Sequence, residues 1–178
     1  MIVSDQQREE NYQEYLRLLN DPEYYDVTFD DQSGGVSAVH RNHRFDKQMG
    51  PDGVKRGCYE LKAIEAFRRT GYSIILLNES TEAGKKQYDG LLDGVPCEIK
   101  SVEHMSRWTI RTKIGHAIKQ GASIVIMYFP DANLFSQQRV QNGWKDYLDY
   151  TNSTNSVTDS QMLCVVDGRV HTIEKPSW

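Results

Sequence analysis

The sequence predicts an α/β fold: a mixed β-sheet flanked by helices, with an N-terminal helical and extended arm and a C-terminal β-hairpin. Three observations carry this expectation. Two apolar runs, 72–77 (YSIILL) and 123–129 (SIVIMYF), suit central strands buried on both faces. Segments with apolar residues at helical spacing surround them. Two Asp-Gly pairs, Asp93-Gly94 and Asp167-Gly168, each separate short strand-like runs and mark two-residue hairpins.

The elements follow in order. Residues 5–20 read as a helix, with Tyr12, Tyr15, Leu16, Leu18 and Leu19 as its apolar stripe, and Asp21-Pro22 ends it. Residues 27–29 and 36–39, around Ser33-Gly34-Gly35, read as a short hairpin or extended arm. Residues 40–53 are polar and punctuated by Gly and Pro, and form a loop. A helix follows over 54–70, with Val54, Cys58, Leu61, Ile64 and Phe67 on one arc and Gly71 closing it. After the strand at 72–77 comes a polar loop, 78–87, and then a hairpin of 88–92 and 95–102. A helix at 107–120, a strand at 123–129 and a helix at 134–150 come next. A polar loop at 151–160 precedes the last hairpin, 162–166 with 169–174. The helix linking 95–102 to 123–129 permits a parallel crossover. The chain divides into residues 1–53, an acidic helix and arm with a basic His-containing loop, and residues 54–178, the α/β body.

Composition bounds the function. A chain of 178 residues suits one domain, or one domain with an extension. No apolar run approaches the ~20 residues of a membrane span, and no secretory leader pattern opens the sequence. Three scattered cysteines, Cys58, Cys97 and Cys164, provide neither a disulfide framework nor a zinc ribbon, and their apolar neighbours assign them to the core. The net charge is −4, but residues 1–31 hold nine acids against Arg8 and Arg17, which leaves +3 for the rest. The overall acidity therefore says little against a nucleic-acid partner.

The sharpest chemical pattern lies in the first hairpin. With Asp93-Gly94 as the turn, residue 92 pairs with 95 and 89 with 98, so Asp89 and Glu98 become cross-strand neighbours with Cβ atoms ~5 Å apart. Glu98 and Lys100 project from the same face of their strand. Two carboxylates that close call for a cation between them. A hard divalent ion bound through carboxylates and a phosphate oxygen meets that need. Mg²⁺ is expected, with Mn²⁺ and Zn²⁺ as alternatives. The plain alternative is a solvated hairpin face.

These motifs resemble the PD-(D/E)xK nuclease superfamily, whose core is restriction-endonuclease-like. The likeness rests on Gly57-x-x-Glu60, Gly71-Tyr72, Asp89-Gly90-x-x-Asp93-Gly94 and Glu98-Ile99-Lys100-Ser101, spanning roughly 57–129. One departure is Tyr88, where the superfamily usually has Pro. Within the superfamily the stretch is most similar to the C-terminal tRNase toxin domains of contact-dependent growth inhibition (CdiA-type) proteins, with similar domains in phage-associated proteins. The resemblance implies a metal-dependent nuclease with Asp89, Glu98 and Lys100 catalytic. It also implies a further acid on the first core helix: Glu60, with Glu65 as the fallback. Gln120 resembles a helix glutamine of some members that helps to order the metal-bound water. The implied substrate is tRNA or other RNA before DNA, and the implied partner is a cognate immunity protein. The site of action would be cytoplasmic, the chain being the terminal domain of a larger secreted or phage-associated protein. The competing expectations are a metal-dependent DNase of restriction or repair type and a catalytically inactive nucleic-acid-binding module.

Two further clusters belong to this reading. His40-x-x-His43 with Asp46 offers a metal-ligand spacing, but in a loop it reads rather as auxiliary residues beside the site. There His40, His43 and Arg44 would contact phosphates or donate a proton to the leaving oxygen. In the helix at 107–120, Arg107, Arg111, Lys113 and Lys119 have no acid among them, and such a stripe suits phosphate contacts. Trp108 beside it either stacks an unpaired base or fills the core. No membrane contact is expected.

Overall fold

The computed structural model describes residues 3–79, 88–151 and 161–177. Across them runs one mixed sheet of eight strands in chain order, covered by four α-helices. The polar loops read at 78–87 and 151–160 lie almost wholly outside the described residues. The expected α/β architecture is the one observed.

Strands β1 (Tyr24–Phe29) and β2 (Val36–His40) form an antiparallel hairpin. β2 also pairs in parallel with β3 (Ser73–Leu76), so the N-terminal arm is built into the sheet, with all of β2 buried. β3, β4 (Gly90–Leu92) and β5 (Val95–Ser101) form an antiparallel meander. β5, β6 (Ile124–Phe129) and β7 (Gln161–Val166) run parallel, and β8 (Arg169–Ile173) closes the sheet antiparallel. Both Asp-Gly turns hold positive φ at each residue: 48° and 80° at Asp93 and Gly94, 49° and 73° at Asp167 and Gly168. That is the geometry whose twist matches a two-residue hairpin.

Alternation along the strands sorts the core into two faces. On one face α2 (Arg56–Thr70) lays Tyr59, Ala63, Ala66 and Phe67 against Ile74, Leu92, Cys97 and Ile126. On the other, α3 (Thr109–Lys119) and α4 (Gln137–Thr151) cover Val125, Met127, Met162 and Cys164. α1 (Asp5–Leu19) sets Leu18 on Val36, Ala38 and Ile75. Cys97 and Cys164 are buried free thiols, pushed up by desolvation and so held protonated.

Three expectations need correcting. On α1, Tyr12 is 40% and Leu19 51% exposed, and the buried positions are Asn11 and Leu18 rather than the whole apolar stripe. The buried face of α2 is rotated from the Val54–Cys58–Leu61–Ile64–Phe67 arc: Leu61 is 39% exposed, while Tyr59, Ala63 and Ala66 are buried. The small residues let the helix lie close. A Cβ on Gly57 would come within 2.7 Å of Phe45. The helix expected from 134 begins instead at Gln137, after a short 3₁₀ turn at Ala132–Leu134. Ser136 restarts the chain by accepting the Arg139 N–H through Oγ at 3.4 Å.

The rotated face gives a direct comparison. Phe67→Ala should cost about 3–5 kcal/mol in denaturant unfolding, and Leu61→Ala less than about 1 kcal/mol. Equal losses would restore the arc read from the sequence.

Candidate active site

β4 has three residues and β5 has seven, and this mismatch makes the site. The ladder runs Leu92↔Val95, Leu91↔Pro96, Gly90↔Cys97, and stops. Gly90 lets β4 press against β3, where a Cβ would stand 2.4 Å from the Ile75 carbonyl oxygen. Past Cys97 no described strand lines that side of β5, and carboxylates take over the backbone's hydrogen bonds. Asp89 Oδ2 accepts the Ile99 N–H at 2.7 Å. In return, the Asp89 N–H donates to Glu98 Oε2 at 2.9 Å. Asp89 and Glu98 thus lie opposite each other, as the turn register predicts.

Glu98 is 2% exposed. Lys100 lies beside it and donates from Nζ to Glu98 Oε1 and to Gln120 Oε1, both at 2.6 Å. Gln120 is placed for this by its position at the C-terminal cap of α3. Burial and the neighbouring Asp89 raise the Glu98 carboxyl to about 7, although Lys100 opposes the shift. Asp89 is raised as well, chiefly by desolvation, against the Ile99 N–H and Lys100.

Glu60 reaches the same cleft from α2, on the opposite face of the sheet. Where β4 ends, side chains from both faces can meet. Desolvation raises Glu60 to about 7, with the Asp89 charge adding to the rise and His43 opposing it. His43 is fully buried as a side chain. Its Nδ1 lies 2.9 Å from the Leu77 carbonyl and its Nε2 3.1 Å from Glu60 Oε1. These partners outweigh desolvation and raise the His43 pKa. Glu79 Oε1 stands 3.6 Å from His43 Nδ1, and its carboxyl is raised by burial.

The cleft has a volume of about 410 Å³. Arg44, Arg56 and Lys113 bring positive charge to its wall. Arg56 is gripped in a fork by Glu103, Nε to Oε1 at 2.7 Å and Nη2 to Oε2 at 2.8 Å. Burial lowers the Lys113 pKa, with Lys100 and Arg56 adding to the shift against Glu103.

The sequence-predicted residues divide clearly. Glu60, Asp89, Glu98, Lys100, Arg44, Asp46 and Lys113 line the cleft, and Gln120 touches it through Lys100. Glu65 does not: it pairs with Arg69 at 2.7 Å on an exposed turn of α2. His40 ends β2, where its Nδ1 accepts the Asn42 N–H and its ring meets Tyr24. Both His40 and His43 are buried, so neither is an exposed phosphate contact. The His40–His43–Asp46 metal grouping also gives way. Among the described residues, His43, Glu79 and Asp89 are the group whose ligand atoms lie within 4.8 Å of one another. Lys119 is exposed on the outer side of α3. Arg107 and Arg111 stand over Trp108 at 4.3 and 4.2 Å, and Trp108 is 42% exposed rather than core.

Sequence reading missed Glu79, Arg56 and Glu103. Glu79 sits in a polar stretch with no periodicity to mark it. Arg56 and Glu103 are 47 residues apart, and only the sheet brings them together.

No family model matches the chain, and no curated protein matches it. Among solved structures, the fold is similar to a chain of the "CdiA-CT/CdiI toxin and immunity complex from Burkholderia pseudomallei". The TM-score is 0.50 and the identity 15%, over 79% of this chain and 99% of that one.

The raised acids fix a pH response. A carboxyl whose folded pKa lies above its unfolded value favours the protonated native state. The stability it supports is therefore full below about 4.5 and is lost as pH rises toward 7. His43, raised in the fold, loses its contribution in the same direction as pH climbs past its ordinary range. In EDTA the melting temperature should fall between pH 5 and pH 7.5, and Glu60→Gln should flatten that fall. A Glu60→Gln profile as steep as the parent's would show that Glu60 does not contribute to the fall.

Proposed function

We propose that the protein is a toxin nuclease that hydrolyses phosphodiester bonds, with RNA, and tRNA first, ahead of DNA. The observation that carries this reading is the Asp89–Glu98–Lys100 interlock at the point where β4 ends. A buried acid pair joined to a lysine is costly to keep for stability alone, and it has the donors that phosphodiester chemistry requires. The same three residues, with Glu60 on α2, resemble the PD-(D/E)xK pattern, with Tyr88 in place of its Pro.

The donor set fits a divalent cation. Four acids, Glu60, Glu79, Asp89 and Glu98, are all raised in pKa, chiefly by burial, and a cation among them would offset the charge that burial penalises. Asp89 and Glu98, with Glu60 alongside, would hold it; oxygen donors favour Mg²⁺ or Mn²⁺, and the His43 nitrogen admits Zn²⁺. Such an ion supplies charge neutralisation at the scissile phosphate and an activated water.

The chain's own groups divide the remaining work. Lys100 spends two N–H donors on Glu98 and Gln120. The third is available for a phosphate oxygen, where negative charge grows in the transition state. Glu60, hydrogen-bonded to His43 Nε2 at 3.1 Å, would orient a water beside the scissile phosphate. Arg44 and Lys113 on the cleft wall hold the flanking phosphates.

The toxin and immunity complex among the similar folds supports the toxin side of this reading. The buried acids and lysine suit the enzyme of such a pair better than its inhibitor. A cognate immunity protein is then the expected partner, with charge complementary to the basic face of α3. The domain would end a larger secreted protein and act in the cytoplasm of a target cell. Among the described residues no helix is long and apolar enough to cross a membrane.

Purified protein should cut tRNA in Mg²⁺ and stop in EDTA. Asp89→Asn, Glu98→Gln and Lys100→Ala should each lower the rate by at least about 100-fold. Cleavage of DNA with intact RNA would select the DNase alternative. Full activity in all three variants would discard the site.

A further inference from the structure

A second feature lies apart from the catalytic cleft, along the seam of α3 and α4. Arg107, Trp108, Arg111 and Tyr150 form a run of alternating guanidinium and aromatic groups. Arg107 and Arg111 stand 4.3 and 4.2 Å from the Trp108 ring, and Arg111 stands 4.7 Å from the Tyr150 ring. Trp108 is 42% and Tyr150 73% exposed. Large aromatics at that exposure leave apolar surface in water without adding to the core. Beside them a groove of about 570 Å³ is lined by Arg107, Ile110, Arg139, Asn142 and Asp146, among others. Gly143 lets the helices meet closely there, since its Cβ would lie 2.4 Å from Ile110. No acid occurs from His104 to Gln120, and Asp146 is the groove's one acidic wall residue among the described residues.

The chemistry favours one occupant. A guanidinium seated over an aromatic ring keeps N–H donors for a phosphate. The exposed Tyr150 ring offers a plane on which a base can stack. Asn142 adds an amide that can read a base edge. A duplex keeps its base faces stacked inside it, so exposed ring planes have no base face to meet along it. Lys113 faces the cleft from the same helix whose other flank carries Arg111. One strand can therefore pass over α3 from the cleft to the seam.

We propose that the Arg107–Trp108–Arg111–Tyr150 cluster and its groove bind an unpaired segment of the substrate, so that the enzyme takes its cut site from a single-stranded or looped region. This rests on the nuclease reading, but its test does not share that reading's fate. Binding of a labelled oligouridylate to the full chain is measured in EDTA by fluorescence anisotropy, against an RNA duplex of equal length. The single strand should bind about tenfold tighter than the duplex, and Tyr150→Ala and Trp108→Ala should each weaken it about tenfold. Tyr150→Phe should restore it.

Preferred single-strand binding in a protein that cuts nothing would uphold the seam and sink the nuclease. Normal RNA cleavage with undiminished binding in Tyr150→Ala and Trp108→Ala would do the reverse. Binding of the duplex as tight as that of the single strand would overturn the proposal.

Discussion

The structure turns on two carboxylates doing the work of a strand. Where β4 ends, Asp89 accepts the Ile99 N–H and Glu98 accepts the Asp89 N–H. Without them, buried backbone donors of the central sheet would be unsatisfied, and each such group carries a desolvation penalty. Burial of the two carboxylates in low dielectric raises both pKa values, and the Asp89 charge adds to the rise at Glu98. Fold and chemistry therefore meet at one point. The sheet needs the carboxylates as acceptors, and as acceptors they become a strained anionic pair that Lys100 only partly offsets.

That pair organises what surrounds it. Lys100 must stay close, and Gln120 fixes it there, so the end of α3 is tied to the middle of β5. Glu60 arrives from the opposite face with His43 behind it, and His43 is anchored to the Leu77 carbonyl just after β3. The Arg56–Glu103 fork joins the start of α2 to the segment leaving β5. Every arm of the site is thus hydrogen-bonded to the end of a regular element. A cleft made this way is preorganised, as electrostatic stabilisation of a phosphoryl transition state requires.

The part of the site legible in the sequence is the part set by local geometry. Asp93-Gly94 fixes a hairpin turn, the turn fixes the register, and the register sets Asp89 across from Glu98. Period-two alternation then puts Lys100 on the same face as Glu98. Contacts set by packing were not legible. The rotation of α2 depends on Ala63 and Ala66, which a size-weighted helical wheel overlooks. His43 meets Glu60 across 17 residues and Arg56 meets Glu103 across 47; neither spacing has a period. His40 and His43 looked like an exposed pair because their loop is polar. The structure buries both, one against Tyr24 and the other behind Glu60.

The charge distribution follows from the same division. The acids Glu60, Asp89 and Glu98 in the cleft repel a polyanion at short range, so they cannot recruit a nucleic acid by themselves. Capture has to come from the cations around them: Arg44, Arg56 and Lys113 on the cleft wall, and Arg107 and Arg111 beyond it along α3. Coulomb attraction acts over about a Debye length of roughly 8–10 Å, long enough to seat a strand on that rim before any phosphate meets the acids. A bound cation would then cancel the short-range repulsion where the scissile phosphate lies. The −4 of the whole chain averages over these two zones, together with an acidic N-terminal helix, and describes none of them.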